Sequence, residues 1–198
     1  MSRLAAVRPS DATPAQKEAI DAIAGGSRGQ GCPLDSLLDE RGGLAGPFNA
    51  WVHRPDLGIV VQRLGERLRF HGELPGAARE IAILTVGAKW MAEYEWWAHC
   101  KLGRREGVSD ATIAVIHRGE RPLLTDPLEQ AAYDLTSALL ETGRVDPALY
   151  ESARTHLGDG GLVELVTLAG YYTLVSFTLN AFDVSLPRDE PCAFTEAR

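Results

Sequence analysis

The chain has 198 residues, enough for one sizeable hydrophobic core or at most two small domains. Hydrophobic residues make up 45% of it and charged residues 24%, the balance of an ordinary soluble globular protein. With 20 basic against 27 acidic residues the formal net charge is −7. This charge argues against nucleic acid as a partner, because binding a phosphate backbone needs a clustered basic surface.

The N-terminal segment and the cysteines indicate a cytoplasmic protein without disulfides. The segment MSRLAAVRPSDATPAQ contains no apolar stretch of signal-peptide length, so we expect a cytoplasmic location. Cys32, Cys100 and Cys192 are odd in number and widely spaced. This pattern favours neither a disulfide framework nor a zinc site.

Helix start and stop signals predict helices from the N-terminal end onwards. Thr13 and Pro14 supply an N-cap and a proline at the first helical position, and Gly25–Gly26 ends this helix. A glycine-rich loop follows, with room for a short helical turn at 36–40. Another short segment opens at 46–48 and must break before Pro55. The next helix carries apolar residues at helical spacing, which are Leu57, Val60, Leu64 and Leu68.

The rest of the chain is also predicted to be helical. A helix begins at Pro75 and reaches about Trp90, and a second helix, nearly continuous with it, covers 91–106. No segment shows the period-two alternation of a half-buried strand, so we predict an all-α protein. Three further helices start at an N-cap and stop at a glycine, namely Ser109 to Gly119, Asp126 to Gly143 and Asp146 to Gly158.

The longest apolar segment, 161–182, approaches the length that spans a membrane. No basic residues flank it, and a helix that is apolar nearly all round is more simply buried in a core or a subunit interface. We therefore predict a buried helix and no membrane partner, with an irregular tail from Leu186. The polar residues that interrupt the segment are Glu164, Thr167, Thr173, Ser176, Thr178 and Asn180.

Glu80 is the first candidate for chemistry, because it lies on an apolar face of its predicted helix. A carboxylate in such surroundings is costly unless it is paired or hydrogen-bonded. Two interpretations stay open here: a structural salt bridge, for instance to Arg67 or Arg79, and a functional carboxylate. The neighbours on the face, at about 100° per residue, are Ala77, Ile83, Leu84 and Gly87.

Glu95 and His99 form the second candidate, because residues four apart share one face of a helix. Such a pair can hold the imidazole in one tautomer and move a proton near neutral pH. Trp90, Trp96 and Trp97 could supply apolar walls that exclude water. Equally, a glutamate–histidine pair at this spacing is often a plain hydrogen bond, and the tryptophans alone are more typical of a core.

Metal and thiol chemistry have weaker signals. Two carboxylates and a histidine could form a facial triad for a metal ion. Metal sites in helical bundles, however, use Glu-x-x-His and ligands from four helices, whereas this chain offers Glu-x-x-x-His once. Cys100 has no partner at Cys-x-x-Cys spacing, and a lone thiol is more often inert. We predict no metal and no cofactor.

The stretch LPGAAREIAILTVGAKWMAEYEWWAHCKLGRREGVSDATIAVIHRG, residues 74–119, resembles the core motif of the carboxymuconolactone decarboxylase / alkyl hydroperoxidase D-like (AhpD-like) superfamily. The motif is an Arg–Glu pair, an acidic–aromatic element, a histidine four residues later and a Gly–Val–Ser turn. The flanking segments are similar to a long-form branch, so the likeness covers residues 46–187. We expect this range to form a single domain, with a helix and glycine-rich loop at 1–45 before it and a tail at 188–198 after it.

The resemblance also shows where this chain departs from the redox members. In the alkyl hydroperoxidase D branch, a glutamate, two cysteines at Cys-x-x-Cys spacing and a histidine form a proton relay and thiol centre. The glutamate matches Glu80 and the histidine matches His99, but the cysteine positions fall on Ala92 and Glu95. The chain therefore lacks the attacking and the resolving thiol.

The decarboxylase branch likewise lacks the cysteine pair and carries an acidic residue four before its histidine. The resemblance implies that Glu80, Glu95 and His99 are catalytic. It also implies an oligomer-forming helical bundle, a homo-trimer or hexamer, that acts on a small molecule, as in the catabolism of aromatic compounds. Candidate substrate-binding residues are Trp96, Arg79 and Arg67.

Three functions follow from these observations. The first is a cofactor-independent lyase or isomerase that uses His99 to transfer a proton on a small carboxylated or lactone-like substrate. The second is a peroxidase that uses Cys100 alone with an external reductant. The third is a non-enzymatic oligomer that binds a small ligand or a partner protein. In that third case all polar atoms of Glu80, Glu95 and His99 should have structural partners.

Overall fold

Eight α-helices make up most of the residues that the computed structural model describes, which are 2–27, 37–39, 42–187 and 190–194. Within these ranges there is no β-strand beyond one isolated bridge between Leu38 and Leu44, so the all-α prediction is confirmed. Cys32 and the two ends of the turn predicted at 36–40, Ser36 and Glu40, lie outside the described residues. The helices are α1 Pro14–Ala24, α2 Pro47–Val52, α3 Pro55–Phe70, α4 Gly76–Lys89, α5 Glu93–Arg105, α6 Asp110–His117, α7 Pro127–Thr142 and α8 Pro147–Ala181.

Capping contacts explain where several of these helices begin and end. Thr13 and Gln16 form a capping box at the start of α1. The side chains of Ser109 and Asp126 accept hydrogen bonds from backbone N–H groups at the starts of α6 and α7. Gly143, with a φ of 69°, ends α7 in the left-handed conformation. These boundaries are the ones that the sequence predicts.

A short turn, 90–92, separates α4 from α5, so the two helices are not continuous. Met91 lies in this turn with a φ of 48°, a left-handed conformation that a side chain with a Cβ adopts at a cost. The N–H groups of Trp90 and Ala92 donate to the carbonyls of Val86 and Gly87 and so close the end of α4. The turn folds α4 and α5 into a helical hairpin with their side chains in contact.

The chain divides into two compact units. Unit 1 comprises Met1–Gly72 and Thr178–Glu190, and unit 2 comprises Glu73–Phe177 and Pro191–Arg198. The predicted single domain over 46–187, with boundaries at 45/46 and 187/188, stays a prediction.

Unit 1 is built around a close contact between α2 and α3. A Cβ on Gly58 would lie 2.4 Å from the carbonyl oxygen of Trp51, so no larger residue fits there without a shift of backbone. The face of α3 that holds Gly58, Gln62, Gly65 and Leu68 is therefore the buried one. Three of the four apolar residues at helical spacing lie on the exposed side instead, namely Leu57, Val60 and Leu64.

Unit 2 has a core formed by α4, α5, α6 and α7. An irregular segment near the C-terminal end packs against this core. In it, the Phe194 ring contacts the rings of Trp96 and His117. The carboxylate of Glu93 accepts hydrogen bonds from the backbone N–H groups of Ala193 and Phe194. The buried members of the cluster are Ile81, Leu84, Trp96, Cys100, Val108, Ile113, Ile116 and Tyr133.

Helix α8 is interrupted at Gly158, whose φ of 65° and ψ of 174° are not helical. The helix Pro147–Ala181 is long and apolar enough, by length and composition alone, to cross a membrane, but half of its most apolar stretch is buried within the chain. The prediction of a buried helix thus holds for one face, which includes Leu165, Leu168 and Tyr172. The other face exposes Val163, Val166, Leu174 and Phe177.

Candidate active site

His99 lies between two glutamates inside unit 2. Glu80 comes from α4, whereas Glu95 and His99 lie on successive turns of α5. Nδ1 of His99 is 2.6 Å from Oε2 of Glu80, and Nε2 is 3.1 Å from Oε1 of Glu95. All three side chains are buried, with 6% of His99, 1% of Glu80 and 5% of Glu95 exposed. The structure therefore brings the three predicted catalytic residues together.

The two contacts of the imidazole differ in kind. The contact with Glu80 is a short hydrogen bond, which holds the ring in one orientation. Nε2 and Oε1 of Glu95 are close enough for an ion pair but are not aligned for a hydrogen bond. Oε1 of Glu95 has no hydrogen-bond partner among the described residues. A buried carboxylate oxygen without such a partner is uncommon, and this one has only the ion-pair contact with Nε2.

The two carboxylates change the protonation of His99. Burial of the ring alone would lower its pKa, because burial disfavours the charged form. The negative charges of Glu80 and Glu95, together with the hydrogen bond to Glu80 and the close contact with Glu95, outweigh this effect and raise the pKa of His99 to about 9. The imidazole is therefore protonated at neutral pH, so that Nδ1–H donates to Glu80 while Nε2–H lies beside Glu95.

Tyr172 of α8 supports the ring from the side and was not among the predicted site residues. Its ring packs edge-to-face on the His99 imidazole, with 5.1 Å between centroids and an interplanar angle of 84°. Tyr172 is buried. The sequence places it in an apolar helix without any motif, so only the tertiary packing of α8 on α5 reveals the contact.

Arg79 lies next to the site, as one of the two interpretations of Glu80 requires. Its Nε is 3.7 Å from Oε1 of Glu80, and one terminal nitrogen is 3.7 Å from Oε1 of Glu106. Both distances exceed that of a hydrogen bond, and Nε has no hydrogen-bond partner within the described part of the chain. The shorter bond of Glu80 goes to His99, so Glu80 is more than a salt-bridge partner of arginine.

The other two candidate substrate-binding residues lie elsewhere. Trp96 is buried in the core cluster of unit 2, where its ring contacts those of His117 and Phe194. This is the core position that the tryptophans alone suggested. Arg67 is exposed on α3 in unit 1. The binding roles of Trp96 and Arg67 stay predictions.

Cys100 follows His99 and so lies about 100° further round α5. It is part of the core cluster with Trp96 and Tyr133. Burial raises the pKa of its thiol to about 11, and the nearby Asp110 adds to this rise against the opposing effect of Arg104. A thiol with such a pKa stays protonated at neutral pH and is a poor nucleophile.

The geometry also bears on the metal alternative. A facial triad needs three ligands that face one point, whereas the two carboxylates lie at opposite nitrogens of the imidazole. Within the described ranges no group of three His, Cys, Asp or Glu side chains is placed to hold a metal ion. The arrangement pairs a protonated acid, His99, with a neighbouring base, Glu95, and so is suited to proton transfer.

Comparison with solved structures identifies the fold. A cysteine-to-alanine variant of the debrominase Bmp8 in complex with 2,3,4-tribromopyrrole is 13% identical, with a TM-score of 0.70 over 95% of each chain. The same debrominase without ligand has 14% identity and a TM-score of 0.67 over 92% of this chain and 91% of that one.

A third similar structure comes from Agrobacterium tumefaciens and is described as a protein of unknown function and a candidate antioxidant defence protein AhpD. It is 17% identical, with a TM-score of 0.61 over 71% of this chain and 97% of its own. The chain therefore has the AhpD-like fold, which confirms the resemblance at the level of fold. No protein-family profile and no curated protein sequence matches the chain.

Proposed function

We propose that the chain is a cofactor-independent lyase or isomerase that transfers a proton on a small lactone-like or carboxylated organic molecule. His99 is the general acid and Glu95 the general base, while Glu80 orients the imidazole and stabilises its charge. The observation that supports this assignment is the position of His99 between two buried carboxylates. Glu80 is hydrogen-bonded to Nδ1, whereas Oε1 of Glu95 lies beside Nε2 without a hydrogen-bond partner among the described residues.

Two reactions fit an acid and a base that lie side by side. In a decarboxylation the bond from carbon to the carboxylate breaks, carbon dioxide leaves, and the electron pair enters the conjugated lactone. The Nε2–H of His99 then delivers its proton to carbon. In an isomerisation Glu95 removes a proton from one carbon and His99 returns a proton to another, so the double bond moves without any net exchange of electrons.

The unaligned oxygen of Glu95 favours an active site over a purely structural cluster. In a structural cluster every polar atom of the three residues would have a partner, because an unsatisfied buried oxygen costs about 1–3 kcal/mol. Oε1 of Glu95 has none among the described residues. The non-enzymatic alternative is therefore weaker.

Arg79 is the residue that we assign to a carboxylate on the substrate. Only 15% of its side chain is exposed, which is little for a charged residue. Its contacts with Glu80 and Glu106 are both 3.7 Å long. A guanidinium that is not fully engaged can still form a paired contact with a carboxylate. Placing the substrate carboxylate there would keep it away from the negatively charged Glu95.

The test is turnover of a panel of unsaturated and carboxylated lactones by the purified full chain. We expect His99→Ala and Glu95→Gln each to lower kcat/KM at least 100-fold, since general acid–base catalysis contributes about 10²–10⁴-fold. Glu141→Gln, an exposed change on α7, is the matched control and should leave the rate unaltered. Full activity in both site variants would contradict the mechanism.

The peroxidase alternative receives no support from the thiol. Cys100 is buried with a raised pKa, and Ala92 and Glu95 occupy the positions of the cysteine pair in the redox branch. A peroxide at this site would therefore meet Cys100 as a thiol and not as a thiolate at neutral pH.

We further propose that the protein works as a cytoplasmic homo-oligomer. The exposed apolar side chains of α8 form one face, on which Val163, Val166, Leu174 and Phe177 recur at helical spacing. Such a face is a common contact between subunits. A trimer or hexamer of copies of this chain is the assembly that the resemblance implies.

A further inference from the structure

Ser176 of α8 is a buried hydroxyl that the proposed mechanism does not use. It is 0% exposed, and its Oγ has no hydrogen-bond partner among the described residues. Most buried polar atoms are hydrogen-bonded, so an exception needs an explanation. Further exceptions in the same unit are Nε of Arg79, Oε1 of Glu95, Nε1 of Trp97 and Oγ1 of Thr136.

Three contacts determine how α8 runs past the α4–α5 hairpin. Near its start, Glu164 accepts hydrogen bonds from the backbone N–H groups of residues 73 and 74, just before α4. Further along, Tyr172 packs on His99. Near its end, Phe177 packs on Trp90 at the tip of the hairpin. From Tyr172 to Phe177, α8 therefore runs antiparallel to α5.

This direction places Ser176 opposite Glu95. Ser176 is four residues beyond Tyr172 and so lies one turn further on the same face of α8. Glu95 is four residues before His99 and so lies one turn nearer the tip on the same face of α5. Because the helices are antiparallel, the step from Tyr172 to Ser176 matches the step from His99 to Glu95. Ser176 is thus placed at the level of Glu95, whose Oε1 has only the unaligned contact with Nε2 of His99.

We propose that Ser176 and Glu95 together hold an O–H or N–H donor of the ligand beside the Nε2–H of His99. Glu95 can only accept a hydrogen bond as a carboxylate, so the ligand group must be a donor; the serine hydroxyl can accept from or donate to the same group. A second carboxylate at this point would be repelled by Glu95. Ser176 is thus a specificity-determining residue that selects substrates with a hydroxyl or N–H group at this point. This inference deepens the proposed function and rests on the same site.

The experiment compares two probes of the same shape by ¹⁵N–¹H NMR titration of the full chain. Phenol carries an O–H donor, whereas anisole carries a methyl ether in its place. We expect saturable shifts with phenol, centred on α5 and α8, and binding of anisole at least fivefold weaker, since one neutral hydrogen bond accounts for about that factor. Ser176→Ala should weaken phenol binding about fivefold and leave the Kd of anisole unchanged.

The same variant separates a ligand-binding hydroxyl from a structural one. If Ser176 has no partner in the free protein, Ser176→Ala should unfold at the same Tm or a higher one. A marked fall in Tm would show a structural hydrogen bond instead and would overturn the proposal. The proposal would also be overturned by equal Kd values for phenol and anisole, or by an unchanged Kd of phenol in Ser176→Ala. A titration without saturable shifts would overturn it as well and would leave a buried water as the group that bridges the two side chains.

The outcome is independent of turnover. Phenol binding can follow the expected pattern while every lactone in the activity panel is left unreacted. Conversely, catalysis through His99 and Glu95 can proceed while Ser176→Ala leaves binding unchanged. Failure of the inference and failure of the proposed function are therefore distinguishable.

Discussion

At the scale of single residues, the bond between His99 and Glu80 joins two side chains that are nineteen positions apart in the chain. The spacing of Glu95 and His99 predicts their shared face, and the apolar neighbours of Glu80 predict that it needs a partner. Neither pattern predicts that the partner is the histidine. That pairing depends on how the turn at 90–92 brings α4 against α5, and the edge-on contact of Tyr172 depends in the same way on α8.

The raised pKa of His99 predicts how stability depends on pH. In the unfolded chain the ring has its ordinary pKa of about 6.5, and in the folded chain the value is about 9. The stabilisation is thus fully present below pH 6.5 and is lost as the pH rises towards 9. Linkage over this interval corresponds to about 3 kcal/mol of unfolding free energy.

Urea unfolding between pH 6 and 10 checks this expectation. The free energy of unfolding should fall with pH in the native chain and should fall less steeply in His99→Asn, which has no imidazole to titrate. Equal slopes for the two proteins would rule out a strongly raised pKa at this residue. The proposed activity should decline over the same upper range, because the acid loses its proton.

At the scale of helices, caps and glycines explain which boundaries the sequence can predict. Ser109, Asp126 and Gly143 act through backbone groups a few residues away, so their effects are visible in the local sequence. The buried face of α3 depends instead on a distant neighbour. Since Gly58 must approach the backbone of Trp51, the helix turns its small residues inward and leaves Leu57 on the outside.

Replacement of Gly58 by alanine tests this close approach. A Cβ would lie 2.4 Å from the carbonyl oxygen of Trp51 and 2.9 Å from its Cβ. Because the first obstacle is backbone, we expect destabilisation of about 1–3 kcal/mol, the usual cost of overpacking. Thermal unfolding followed by circular dichroism measures the change.

Gly160 is the matched control for that substitution. It lies within α8, and an added Cβ there would meet nothing within 4 Å. Gly160→Ala should raise the free energy of unfolding by about 0.5–1 kcal/mol, because alanine restricts the unfolded chain and favours a helix. Similar effects of the two substitutions would show that α2 and α3 are not in such close contact.

At the scale of the whole molecule, the exposed apolar face of α8 connects the sequence to assembly. The hydropathy of residues 161–182 fits a membrane-spanning helix, a core helix and a helix at a subunit contact equally well. Composition alone does not distinguish these three cases. Burial within the chain accounts for one face only. The remaining face is what we assign to contacts between copies of the chain.

Substitution on this face should change the mass of the particle in solution. Val163 and Val166 are 68% and 46% exposed. Val163→Asp combined with Val166→Asp would bury charges in the proposed contact, so we expect dissociation from a trimer or hexamer to single chains. Light scattering during size-exclusion chromatography without detergent measures the mass of the particle.

Leu123→Asp is the control for the assembly test, because Leu123 is 88% exposed and lies outside the helices. It should leave the mass unchanged. A native chain that is already monomeric, or a double variant that keeps its full mass, would contradict an oligomer formed through α8.

The bonds from Glu93 to the backbone of Ala193 and Phe194 have a consequence for hydrogen exchange. Amide protons in irregular segments normally exchange with deuterium quickly, since water reaches them freely. Here a buried carboxylate holds two consecutive amides in a stretch that has no helix of its own. Protection of these two amides from exchange therefore shows whether the segment remains attached to α5. Their exchange rate measures how often the segment detaches, separately from global unfolding.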